Sequence, residues 1–298
     1  MLTKTRTALL DAASAPPLGR LRVRGTRLPA ALRALASRPG LLLAVAFIAA
    51  ALVAAVAPSL MTRFDPYATS AAAKLAPPDA VHWFGTDDLG RDLFARVIYG
   101  SGLSIHAGSV AVGIALSGGL GLGVLSGFFG GLADTVIMRL VDVMLALPGF
   151  LLSLAVVTAI GFGTLPVAIA VGIGIIPGFA RTTRSEVLRI KTLPYVEAAR
   201  LGGANWPRIL LTHILPNSWG PVAVLATLDF GAAILATAGL SFLGFGAAPP
   251  AAEWGTLIAD GRRFLITAPW LSLIPGLVVM LVVFSLNHIA RTMEETRR

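Results

Sequence analysis

The chain has 298 residues, 56% of them hydrophobic and 13% charged, with a mean hydropathy of +0.80. Soluble domains carry roughly 25% charged residues, so this composition excludes soluble and disordered classes. It has no cysteine, which removes disulfides, thiolate metal sites and a cysteine nucleophile. The net charge of +9 suits either nucleic acid or a membrane, and its placement decides between them.

In chain order, residues 1–28 hold scattered arginines and Pro16-Pro17 without periodicity, and are expected to be disordered. Residues 30–38 fit a short basic helix on anionic lipid. The first apolar run starts near residue 40 and is of spanning length, unlike a cleavable signal peptide. Residues 39–62, 97–133, 143–180, 209–228, 230–252 and 264–290 carry no Asp, Glu, Lys or Arg. About 20 apolar residues cross a bilayer, and Gly161-Phe-Gly-Thr164 divides the longest window. These windows predict six helices near 40–61, 103–127, 134–159, 164–181, 214–241 and 269–290. The predicted class is an all-α integral membrane protein.

The basic residues confirm that frame. With both termini cytoplasmic, 17 of the 24 Lys and Arg fall inside, six outside, and Arg139 within a span. That distribution obeys the positive-inside rule. The positive charge thus reads as orientation in membrane lipids, and no nucleic acid is implied. Four segments follow: a basic cytoplasmic tail (1–38), a first helix with an external segment (39–101), a five-helix transmembrane domain (102–290) and a cytoplasmic tail (291–298).

Within the second span, Gly119, Gly123, Gly127 and Gly131 recur every four residues, which lets a neighbouring helix approach closely. Gly174 and Gly178 repeat the pattern in the fourth, where Pro177 predicts a kink. The loop 182–216 is too long for a plain connector. Thr192 is placed to cap a helix with Pro194 in its first turn, and Gly202-Gly203 ends it. Asn205 is placed to cap a second helix with Pro207 in its first turn, and Pro216 ends or kinks that one.

Four sets of ionisable residues stand out. Arg139 and Asp142 are three apart and share a face as an intramembrane ion pair, either functional or a structural anchor. Asp229 lies mid-span with no cation at three or four residues' distance. It either lines a translocation path or is protonated and bonded to a neighbouring helix. Asp87, Asp88, Arg91 and Asp92 cluster outside the second span, as a helix cap or a docking surface for an external protein. His82, His106 and His213 have no metal-ligand spacing.

The loop carries a specific likeness. Glu197-Ala198-Ala199, Gly203 and Ile214-Leu215-Pro216 resemble the EAA loop of ABC-importer permeases. His213 before Ile214 matches the dipeptide/oligopeptide branch. Further segments resemble that branch in order across residues 40–288: Gly85–Asp92, Ile98-Tyr-Gly100, Met138–Asp142, Leu147-Pro-Gly149, Leu240–Gly244, Pro249-Pro250, Trp254-Gly255, Gly261 and Ala268-Pro-Trp270. The resemblance implies a type I ABC-importer (MetI-like) permease fold and the dipeptide-permease C type. It implies four partners besides lipid: a homologous permease subunit, two ATPase subunits, and a periplasmic or lipid-anchored solute-binding protein. The loop residues named above would form the ATPase-coupling helix, and small peptides would be the solute. Nickel or other metal complexes and glutathione are alternatives on the same architecture. The chain departs from the family at Thr237, where an acidic residue is usual, and after Asn287.

No phosphate-loop pattern occurs, so ATP-Mg is expected on partner subunits and no cofactor on this chain. A competing reading is an intramembrane serine protease using Ser241 and His288. Their predicted depths differ by about 20 helical residues, roughly 30 Å, whereas proton transfer needs about 3 Å.

Overall fold

The computed structural model describes residues 39–295; the expectations for residues 1–38 and for the last three residues lie outside them. Helix α1 spans Pro39–Val56, followed by a connecting segment with one-turn helices at Pro58–Leu60 and Ala71–Ala73. Helix α2 runs Leu93–Phe129, α3 Gly131–Leu145, α4 Gly149–Ile160 and α5 Thr164–Lys191. Two short helices follow, α6 (Pro194–Leu201) and α7 (Trp206–Ile209), then a π turn at Leu210–Ile214. Helix α8 covers Leu215–Phe242, α9 Trp254–Gly261 and α10 Trp270–Glu295. Five helical stretches are long and apolar enough to cross a membrane, and α3 with α4, bent by 93°, make a sixth if the pair is taken as one span.

The chain is all-helical among the described residues, apart from an isolated bridge between Thr86 and Asp92. Two spans exceed their predicted windows. Helix α2 starts ten residues earlier because Asp92 caps it and Arg96 is buried within it. Helix α5 continues to Lys191, well past Arg181. The Asn205-capped helix gives way to the π turn at Leu210–Ile214, and Pro216 occupies the first turn of α8, where a missing N–H costs nothing.

Packing begins at the α2–α5 seam. Gly119 meets Phe179, Gly123 meets Ala180 and Thr183, and Gly127 meets Arg184 and Val187. The pairs advance together along both helices, so the two run parallel with backbones nearly touching. The glycine stripe stops at Gly127, because Gly131 has φ +56 and forms the turn into α3. Gly174 lies against Gly149 and Ser153 of α4, whereas Gly178 faces open space. Helix α8 packs on α10 through Gly231 and Val283. Near the start of α2, buried Trp254 donates its indole N–H to the Val97 carbonyl (3.0 Å) and its backbone N–H to Ser104 Oγ (3.1 Å). Many large apolar side chains face outward, including Leu43, Val56 and Phe284. Such surface is tolerable only where hydrocarbon or another subunit is the neighbour.

Candidate functional site

The loop after α5 is a built element. Leu193 is extended (φ −77, ψ 141), as a residue before proline must be, and α6 starts at Pro194. Leu193 occupies the cap position without a side-chain bond, while the Thr192 hydroxyl donates to the Arg189 carbonyl instead of capping. Glu197 lies in the first turn and Arg200 in the last, each favourable to the helix dipole. Gly203 follows at φ +83, a left-handed conformation that favours glycine. Asn205 then caps α7 by accepting from the Arg208 N–H at 3.2 Å.

This unit has a buried face and an open one. Val196, Ile209 and Ile214 form one cluster with Val187 and Ile190 of α5. Helix α6 is therefore anchored on the long helix α5. Ile214 belongs to that anchor and Leu215 is half-buried, whereas Pro216 is exposed. Glu197 and Ala198 are exposed, Ala199 half-buried, and Leu201 is 84% exposed. Beside them lies a cavity of about 780 Å³, lined by Phe128, Lys191, Glu197, Arg200 and Trp206.

The charges within the spans pair across helices. Asp142 bonds Arg181 of α5 at 2.6 Å, not Arg139. Arg139 is exposed and has no ion-pair partner among the described residues. The predicted pair fails because α3 crosses α5 and brings Arg181 to Asp142 from another helix. Arg184 holds Asp134 with two bonds, of 2.5 and 2.6 Å, and Ser126 bonds the same carboxylate. Asp229 is half-buried on α8, with neither an ion pair nor a hydrogen bond among the described residues.

Outside the membrane, the acidic cluster is mostly internal. Asp92 caps α2 by accepting from the Ala95 N–H (2.7 Å), and its other oxygen meets His82 Nδ1 at 2.8 Å. Asp87 accepts from the Leu89 and Arg91 N–H groups and from Arg91 Nε (2.6 Å), with Arg96 Nε 3.6 Å away. Asp87, Arg91 and Asp92 are buried, so they shape the loop beneath its surface; of the four only Asp88 is half exposed. Sequence reasoning passed over Glu253, which is 1% exposed beside Gly246 and faces Ser241. Burial pushes its carboxyl above the usual range, partly offset by the Ser241 hydroxyl and the Ala247 N–H. Its only signal was a lone acid before Trp254-Gly255. Ser241 packs against Gly246 and Gly255 at the external end, and His288 packs beside Gly40 near the other end of α10. They form no catalytic pair.

Comparison with known proteins matches this helical arrangement to a family. The family model for the binding-protein-dependent transport system inner membrane component covers residues 119–297. The chain belongs to this family. It is 44% identical over 250 residues to a dipeptide transport system permease protein of Alkalihalophilus pseudofirmus, covering 84% of this chain and 81% of that one. It is 43% identical over 244 residues to a probable D,D-dipeptide transport system permease protein of Escherichia coli, covering 82% of each. A glutathione transport system permease protein of Pectobacterium atrosepticum is 43% identical over 210 residues, 70% of each chain.

Solved structures agree on the fold. An amino acid ABC transporter superposes with TM-score 0.54 at 15% identity, over 68% of this chain and 95% of that one. An inward-facing methionine ABC transporter gives 0.52 at 19%, over 66% and 96%. The chain is thus a multi-pass ABC-importer permease with the MetI-like fold, a transport component.

Proposed function

We propose that this chain forms half of the translocation pathway of an ATP-driven importer of small peptides. The observation that carries the reading is the α6–α7 unit, whose inner face grips α5 while its outer face is left open. That is the geometry a motor subunit needs to pull on the spans. ATP-Mg would be bound and hydrolysed by two separate ATPase subunits holding Glu197–Gly203. A homologous permease subunit would supply the other half of the path. A periplasmic or lipid-anchored solute-binding protein would deliver the solute to the external face. Closure of the ATPases would move the residue 192–215 unit and rock the spans between inward- and outward-facing states. In this arrangement both termini are cytoplasmic, with 1–38 and 291–298 as tails of the membrane domain.

Di- and oligopeptides are the favoured solutes, because the three relatives above are named for dipeptides, D,D-dipeptides and glutathione, itself a small peptide. Uptake of labelled dipeptide and of glutathione by the reconstituted complex tests this. Glu197→Lys is expected to abolish uptake and solute-stimulated ATP hydrolysis while the complex still assembles. Normal coupling in that variant would refute the assignment of α6.

A further inference from the structure

The third span is broken deep in the membrane. Helices α3 and α4 meet at 93° across Ala146, Leu147 and Pro148. Gly149, just after the corner, backs onto the Gly174 carbonyl. Gly174 lies ten residues past Thr164, the external start of α5, which is about 15 Å along the helix. The first N–H groups of α4 have no acceptor within their helix, and Pro148 gives no side-chain cap. Hydrocarbon cannot satisfy such groups. Irregular backbone at this depth occurs only inside protein or against water.

This chain does not cover the corner. Val141 is the one buried residue of α3, and Val143, Leu147 and Leu151 are 66%, 51% and 53% exposed. The choice between a second protein surface and water rests on the charges leading to the corner. Arg139 is exposed among Leu132, Val136 and Val143 without an acid to meet it. The Asp142–Arg181 pair keeps over half of each side chain exposed, 56% and 60%. A dry helix–helix contact would strand these charges, whereas ionisable groups within spans commonly face a water-filled cavity.

The geometry points to the α3–α4 corner, Ala146–Gly149, as a wall of the aqueous cavity through which solute crosses. Arg139 and the Asp142–Arg181 pair line its cytoplasmic approach. Phe150 seats on Gly239 of α8, so the corner reaches the helix that carries Asp229. Gly239 lies ten residues, about 15 Å, along α8 from Asp229. This inference rests on the permease reading and adds where the path runs.

The absence of cysteine makes the test direct. Leu147→Cys and, separately, Val143→Cys are placed in the assembled transporter and exposed to a membrane-impermeant methanethiosulfonate reagent in inside-out vesicles. The mass shift of this chain gives the labelling rate. Leu52→Cys on α1, 48% exposed on an apolar helix, is the reference. The corner thiols are expected to react about tenfold or more faster than the reference, because water reaches them. Both reacting as slowly as Leu52→Cys, with peptide uptake intact, would overturn the cavity wall and leave the permease reading standing. Fast labelling in a transporter that moves no peptide would support the wall and refute the peptide solute instead.

Discussion

Two glycines on one helix should respond differently to a single methyl group. An ideal Cβ on Gly123 falls 2.6 Å from the Ala180 carbonyl oxygen and 2.6 Å from Thr183 Cβ, both attached to α5. Carbon contacts prefer about 3.5–4.0 Å, so the α2–α5 seam must open by about 1 Å. A gap of that order forfeits about a quarter to a half of each contact's attraction, and overpacking costs about 1–3 kcal/mol. A Cβ on Gly121 meets nothing within 4 Å. There, replacing glycine in a helix gains up to about 1 kcal/mol. Both variants gain the same helix propensity, so Gly123→Ala should be less stable than Gly121→Ala by the overpacking cost, about 1–3 kcal/mol. At about 2–4 °C per kcal/mol, their melting temperatures should separate by roughly 2–12 °C. Thermal unfolding of the detergent-solubilised complex, followed by size-exclusion fluorescence, measures this. Equal melting temperatures would refute close backbone contact at Gly123.

Three further outcomes are expected. Asp92→Ala removes the side-chain cap of α2 and the partner of His82, and should destabilise the external end by about 1 kcal/mol or more, read by hydrogen exchange over residues 82–96. Glu253 has a folded-state pKa raised above the reference value of 4.5 by burial. Its contribution is fully present below that reference and is lost as external pH rises through the folded value. Glu253→Gln should flatten this part of the stability profile, and parallel profiles for variant and wild type would contradict the buried-carboxyl account. Asp229→Asn should lower peptide uptake while leaving assembly intact on size-exclusion chromatography; unchanged uptake would remove Asp229 from the path.

Much of the architecture is written locally. Charge-free windows mark the spans, since each charge in hydrocarbon is costly within the span itself. Gly202-Gly203 and Asn205 mark the ends of α6 and α7, because capping is satisfied within a few residues. The two-helix loop after α5 was legible for the same reason: Pro194, Gly203 and Asn205 act at short range, in a fixed order. Asp92 belongs with them, although the start of α2 it sets was placed ten residues late. Arg96 hid that start by looking like a surface charge, yet it is 2% exposed.

Tertiary structure decided the rest. Asp142 has a cation three residues away on its own helix and still pairs with Arg181, 39 residues on, because helix crossing sets which side chains meet. Glu253 is an ordinary acid in sequence, and only the fold of the 243–255 loop against α8 buries it. The 93° corner likewise follows from where α4 lands, with Gly149 on Gly174 and Phe150 on Gly239. Hydropathy and capping are properties of neighbours in the chain, so the sequence by itself determined the apolar spans and the helical form of the loop after α5. Ion-pair choice, burial of single charges and the open face of the broken span depend on helices distant in sequence, and only their packing determined these.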